Sequence, residues 1–332
     1  MAKGEHLKKL ISSYGRPHEF RGAALKIIED ADKKGFKPLA ASLRKVLDAN
    51  VREEASSVKG LTRIAELADP AVELIDSVEP ERGLSQIVLT REARNLVDTV
   101  LEEHKRAEEL RRHQLPLRSK LLFCGPPGCG KTLCAEVIGR ELSLPLYVAK
   151  LDVIVSSFLG ETAANLRRLF EFAARRPSIL FLDEFDALAR ARTDVTEHNE
   201  LRRVVNSLLI FIDRFRSRGL LIAATNLEGT LDEAVWRRFD EVITFDLPGE
   251  LQIERLLELK FRNFPVNFDL RPQAAKLAGL SHAEIERVCL DAIKGAVLKR
   301  RKGVSETEFA AALRNEMRRK ATATRVKAHR SS

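Results

Sequence analysis

The stretch Phe123–Thr132, "FCGPPGCGKT", decides the fold. Gly125 and Gly130 stand five positions apart with Lys131 and Thr132 directly after, the G-x-x-x-x-G-K-[ST] spacing of a loop that cradles phosphates. Glycines let the backbone curl until several N–H groups face inward, and a helix that follows adds its positive N-terminal end. Lys131 is then expected to reach the β and γ phosphates of a nucleoside triphosphate, and the Thr132 hydroxyl to take one position on Mg2+. The context fits. "KLLFC" before the loop is a short apolar run of strand type, and "TLCAEVIGRELS" after it carries apolar residues at helical spacing. Gly125, Pro126, Pro127, Gly128, Cys129, Gly130, Lys131, Thr132 and Leu133 therefore form the candidate ATP-binding set. A Gly-rich turn without a ligand is the bland alternative.

Outward from the loop the pattern alternates between strand and helix from Leu84 to Leu247, which predicts a parallel sheet with helices on both faces. "KLLFC", "PLYVAKL", "SILFLDE", "LLIAATN" and "EVITFDL" are the strand candidates. Residues 248–320 show helical periodicity only and predict a small all-α lid. Residues 1–60 read as short amphipathic helices broken at "SSYGRPHEF" and "KKGFKP", a small N-terminal domain for a substrate or partner; 61–83 read as a linker. The tail 321–332 has few apolar residues and is expected to be disordered and basic.

"SILFLDEFD", Ser178–Asp186, is a buried-type strand ending in carboxylates. Delivered beside the phosphate loop, Asp183 can orient the water shell of Mg2+ and Glu184 can polarise the attacking water as general base. "LLIAATN" brings Asn226 to the end of another strand, where its amide can hold the same water. An exposed acidic turn would be the simpler reading of Asp183 and Glu184 taken alone.

Together "GPPGCGKT", "ILFLDEFD", "AATN" and "LDEAVWRRFD", in this order and spacing, resemble the AAA clade of the AAA+ ATPases, which includes spastin, katanin and membrane-anchored bacterial proteases. The resemblance covers about Leu84–Lys320 and implies a P-loop α/β sheet followed by a helical lid. It implies that Arg237 or Arg238 reaches across a subunit boundary to the neighbour's γ phosphate, the alternative being a basic cluster on a solvated helix end. It implies that "SSFLGET" holds a channel loop, with Phe158 and Leu159 gripping an extended polypeptide and Gly160 bending; a buried Phe at a helix start is the competing view. Two departures stand out. His282 replaces the usual glycine of a Ser-Gly-Ala element in "GLSHAEIERVC", which leaves nucleotide contact there open, and the two arginines are adjacent, as in microtubule-severing members.

The implied function is an ATP-driven, homo-hexameric ring that unfolds or disassembles a protein client, with a nucleic-acid motor or loader as the alternative and a nucleotide-gated binding module as a third reading. The chain carries no His-Glu-x-x-His and no Gly-x-Ser-x-Gly, so any proteolysis needs a separate partner, for which the resemblance implies a subtilisin-like protease as client or collaborator. Nucleic acid is disfavoured because "SSFLGET" offers no Lys or Arg to phosphates, although the net charge of +9 is concentrated towards the two ends. No run of 18 apolar residues exists, and "MAKGEHLKKL" lacks the apolar core of a signal peptide, so a cytoplasmic protein without a membrane segment is expected. Cys124, Cys129 and Cys134 recur every five residues, which is no zinc spacing; together with Cys289 they are expected to be reduced and unpartnered.

Overall fold

The five predicted apolar runs all become strands in the computed structural model, which describes residues 70–156, 159–185, 198–226 and 233–330. They are β2 (Lys120–Cys124), β3 (Leu146–Ala149), β4 (Ile179–Leu182), β5 (Leu220–Thr225) and β6 (Glu241–Thr244), preceded by β1 (Ile75–Val78). The sheet order is β1-β3-β4-β5-β2-β6. Every pairing is parallel except β1 with β3. Each residue of β2, β4 and β5 is buried, as expected of central parallel strands covered on both faces.

The covering helices follow from apolar spacing. In α1 (Arg91–Lys105) Ala93, Val97, Val100 and Leu101 make one buried stripe, and the Thr90 side chain caps its start by accepting from the Ala93 N–H at 3.0 Å. This stripe packs on α3 (Lys131–Leu142), which follows the short α2 (Ala107–Arg112), and both share a core with Phe123, Phe181 and Ile222 of the sheet. After α4 (Leu151–Ser156), the helices α5 (Leu159–Arg175) and α6 (His198–Arg214) pack on each other. The one-turn α7 (Glu233–Trp236) precedes β6.

The chain then turns wholly helical: α8 (Glu250–Phe261), α9 (Arg271–Lys276), α10 (His282–Leu298) and α11 (Glu306–Arg330). Ile253, Leu257, Phe261, Ile285, Val288, Cys289 and Phe309 form their own core. Glu73–Ser332 is one compact unit, and the sheet and these helices both lie in it.

Two expectations change. Within 61–83, read as a linker, Ile75–Val78 adds an antiparallel strand to the open edge of β3: Ile75 is buried, and Asp76 meets Lys150 at 2.8 Å. The two acidic and small residues between Ile75 and Val78 hid a strand that needs only one buried side chain at an edge. Within 321–332, read as disordered, α11 continues to Arg330, because "ATATRVKAHR" mixes good helix formers with no Gly or Pro. The N-terminal domain of 1–60 lies outside the described residues.

The start of α11 is held by charge. Glu308, its side chain 3% exposed, accepts from the Ser305 hydroxyl and from the Ser305 N–H at 3.0 Å, and meets Arg301 at 2.8 Å and Lys299 at 3.4 Å. The Ser305 hydroxyl first, then its N–H, hold this carboxyl at about 2, below its ordinary 4.5, against the opposing effect of burial. A depressed carboxyl pKa stabilises the fold above the unfolded value and ceases to do so as pH falls through the folded one. Glu308→Gln should therefore lower the thermal midpoint at pH 7, with the gap to wild type shrinking from about pH 4.5 towards 2 in a melting series.

Candidate nucleotide site

Strand order builds the site before any side chain is considered. β5 lies between β2 and β4, so the carboxyl ends of all three open at one edge of the sheet, where such folds hold ligands. β2 runs into the phosphate loop, β4 into Asp183 and Glu184, and β5 into Asn226. Together they line a cleft of about 340 Å³.

The loop has the curled backbone its glycines allow, with φ of 142° at Gly125, 77° at Gly128 and 97° at Gly130. Two of them are also sites of close approach. A Cβ on Gly125 would sit 2.1 Å from the Phe245 carbonyl oxygen, just beyond β6, and one on Gly128 would sit 2.9 Å from the Ser281 Oγ. Lys131 opens α3 and is only 7% exposed; its ammonium donates to the carbonyls of Gly125 (2.6 Å) and Pro126 (3.0 Å) and to Asn226 Oδ1 (2.8 Å). The Thr132 hydroxyl donates to Asp183 Oδ2 at 3.3 Å. Glu184 has φ of 50°, in the left-handed region, and its N–H donates to Asp183 Oδ1 at 2.9 Å. That turn of the backbone separates two consecutive carboxylates.

The far wall comes from the helical part. The Ala283 N–H donates to the Gly128 carbonyl at 3.0 Å. Ser281 and Glu284 form a reciprocal cap at the start of α10, at 3.3 and 2.7 Å. Burial would raise the Glu284 carboxyl, but the Ser281 N–H and Lys320 outweigh it and leave it below its ordinary value. His282 lines the cleft with both ring nitrogens buried and without a hydrogen-bond partner, and burial lowers its pKa, so the ring is neutral at pH 7. Burial raises the Cys129 thiol, with Lys131 opposing, and pushes Cys134 up to about 12; these are packing thiols, and all four cysteines are free and buried.

Sequence reasoning missed Gln86, Ile87 and Val88 before α1, Leu256 and Lys260 on α8, and Glu286 on α10, all on the cleft wall. Lys260 pairs with Glu286 at 2.5 Å. No motif marks them; they meet only because the lid folds back over the sheet.

Arg237 and Arg238 are at the other end of the sheet. They precede β6, and Asp240 Oδ2 accepts from the N–H groups of Ser119 (2.8 Å) and Lys120 (3.0 Å) at the start of β2. Ser119 to Gly125 is six residue steps, roughly 20 Å of extended chain at ~3.3 Å per residue. An arginine side chain does not span that length. Phe158 lies outside the described residues, and Leu159 and Gly160 open α5.

Known proteins resemble the chain in sequence. Over 326 residues the chain is 52% identical to an AAA family ATPase of Sinorhizobium fredii, y4kL, covering 98% of this chain and 99% of the relative. The chain belongs to the AAA family of ATPases. The family description "ATPase family associated with various cellular activities (AAA)" fits residues 121–247, which hold the five parallel strands, the phosphate loop and both arginines. An ATP-dependent zinc metalloprotease FtsH 3 of Sphaerobacter thermophilus is 32% identical over 234 residues, 68% of this chain and 47% of that protein. A cell division cycle protein 48 homolog of Archaeoglobus fulgidus is 34% identical over 216 residues, 63% of this chain and 29% of that protein. The AAA family chain binds and hydrolyses ATP.

The glycines give a graded test of the loop. At Gly130 an added Cβ meets nothing within 4 Å, so Gly130→Ala should cost only the backbone strain of positive φ, about 1–2 kcal/mol. At Gly125 the same strain is joined by collision with backbone, so Gly125→Ala should exceed about 3 kcal/mol. Thermal midpoints should fall by about 2–4 °C per kcal/mol, in the order Gly130→Ala smaller than Gly125→Ala; equal falls would count against the packing of Phe245 on the loop.

Proposed function

We propose that the chain assembles with copies of itself, six in the usual ring of its clade, and spends ATP in the cytoplasm to unfold or take apart a protein client. The observation that carries this reading is the separation of Arg237 and Arg238 from their own phosphate loop by the length of β2. An arginine aimed at a γ phosphate from that end can serve only a second copy, so hydrolysis depends on assembly.

Within one copy the roles follow position. The loop N–H groups and Lys131 hold the phosphates, with phosphate oxygens replacing loop carbonyls on the ammonium. Glu184, turned away from Asp183 by its left-handed backbone, polarises the attacking water, and Asn226 stands beside Lys131 to orient it. A hydroxyl and a carboxylate 3.3 Å apart offer the oxygen ligands that a hard cation takes, so Thr132 and Asp183 would hold Mg2+, which when bound offsets charge on the phosphate oxygens. The arginine of the adjacent copy neutralises charge that develops in the transition state.

A protein client is favoured over nucleic acid by "SSFLGET", which offers an aromatic and an aliphatic residue and no cation. The FtsH relatives are named as zinc metalloproteases, whereas the given sequence has no His-Glu-x-x-His, so it would hand a client to a separate protease, a subtilisin-like one included, or release it. The test is the steady-state ATPase rate with an unfolded protein, with single-stranded DNA, and with neither. Stimulation by unfolded protein alone supports the reading; stimulation by DNA alone selects the motor on nucleic acid.

Phe158→Ala separates hydrolysis from its use. As a gripping residue, Phe158 should be replaceable with the thermal midpoint unchanged and at least roughly half the basal ATPase retained, but with stimulation by unfolded protein lost. As a core residue it should cost about 3–5 kcal/mol and take ATPase down with the fold.

A further inference from the structure

The four residues Arg237–Asp240 are not equivalent, and their attachments divide the work between the two arginines. Asp240 is tied to the start of β2 by three bonds to one carboxylate oxygen, from the Ser119 N–H (2.8 Å), the Lys120 N–H (3.0 Å) and the Ser119 hydroxyl (3.3 Å). Phe239 is buried and meets Phe185 edge to face, with ring centroids 6.3 Å apart. Arg238, 26% exposed, donates from Nε to Asp213 Oδ2 at 2.9 Å. Arg237, just after α7, is 75% exposed, and among the described residues its ion pair is with Glu233 one turn earlier, itself 77% exposed. A surface pair at i,i+4 spacing is readily exchanged for a phosphate, because water and salt screen it.

Asp213 stands where three elements converge. It lies at the end of α6, and its carbonyl accepts from Lys120 Nζ at 3.4 Å and from Arg216 Nη1 at 2.9 Å, while its carboxylate holds Arg238. It thus joins the end of α6, the start of β2 and the arginine turn. Were Arg238 to swing towards a neighbour, it would abandon this partner; Arg237 abandons nothing that its solvated surroundings do not replace.

We infer that Asp213 is a positioning residue, which through Arg238 fixes the Arg237–Asp240 turn to its own subunit so that Arg237 alone reaches the neighbouring copy's phosphate loop. This rests on the ring reading above. It assigns opposite consequences to two adjacent arginines and a role to an aspartate 24 positions upstream of the first.

The experiment measures kcat, KM for ATP and thermal midpoint for Arg237→Ala, Arg238→Ala, Asp213→Asn and Asp213→Glu, each alone and mixed with Lys131→Ala in rings shown to contain both chains. Arg237→Ala should leave the midpoint and KM unchanged and lower kcat by about 1,000-fold or more, the scale of an arginine supplied in trans. Arg238→Ala and Asp213→Asn should each lower kcat by about 10-fold with KM little changed, and the double variant should be no worse than either single one, since both break one link. Asp213→Glu should recover part of the loss. Mixing with Lys131→Ala should restore activity to Asp213→Asn as it does to Arg237→Ala, because the defect falls on the neighbour's site; a defect confined to the fold of its own subunit would not be restored. The inference is overturned if Arg238→Ala matches the loss in Arg237→Ala at an unchanged midpoint, or if Asp213→Asn leaves kcat as in wild type. Failure of every mixture, Arg237→Ala included, sinks the ring reading instead.

Discussion

A buried ammonium must be met by oxygens, and three that meet Lys131 organise the rest of the molecule. Two are carbonyls of Gly125 and Pro126, so the lysine braces the curl of its own loop; the third belongs to Asn226 at the end of the neighbouring strand. Burying the charge without these partners would be far more costly than leaving it in water. The arrangement needs β2 beside β5 and the loop at their shared carboxyl edge, so the strand order and the site are one constraint. The same edge receives Asp183 from β4, on the other side of β5.

The opposite edge of the sheet is equally fixed and does different work. Asp240 and Asp213 bind the arginine turn to the start of β2, while the phosphate loop departs from its end. One buried strand of five residues therefore separates the group that receives a phosphate from the group suited to neutralise one. A parallel sheet imposes this polarity, because all its carboxyl ends point the same way. In the proposed ring, a subunit built so would carry half of one site at each end.

How much of this was legible in the sequence follows from the kind of signal each part leaves. The phosphate loop, Asp183, Glu184 and Asn226 are adjacent to apolar runs that can only be strands, and the five runs became the five parallel strands. β1 left no such signal, because an edge strand buries little, and Ile75 is its one buried side chain. The helix over 321–330 was hidden by composition: few apolar residues suggest a disordered tail, yet a stretch without Gly or Pro can extend a helix already begun. Ile87, Val88, Leu256, Lys260 and Glu286 share one cleft but lie up to 199 positions apart in the chain, a distance at which no spacing rule operates. The unequal anchoring of Arg237 and Arg238 is likewise invisible in "WRRFD", since it depends on Asp213 in another element.

The cleft joins two parts that are built differently. Its phosphate side is rigid sheet and loop, whereas its far wall is α8 and α10, helices with a separate apolar core. The two parts meet at the loop through the backbone bond from the Ala283 N–H to the Gly128 carbonyl and through the close approach of Ser281 to Gly128. The first turn of α10 is thus bonded directly to the loop, and the reciprocal cap of Ser281 and Glu284 satisfies the backbone N–H groups at that turn. Because α10 shares its core with α8 and α11, its first turn and the rest of the lid pack as one body, joined to the phosphate loop by the Gly128–Ala283 bond.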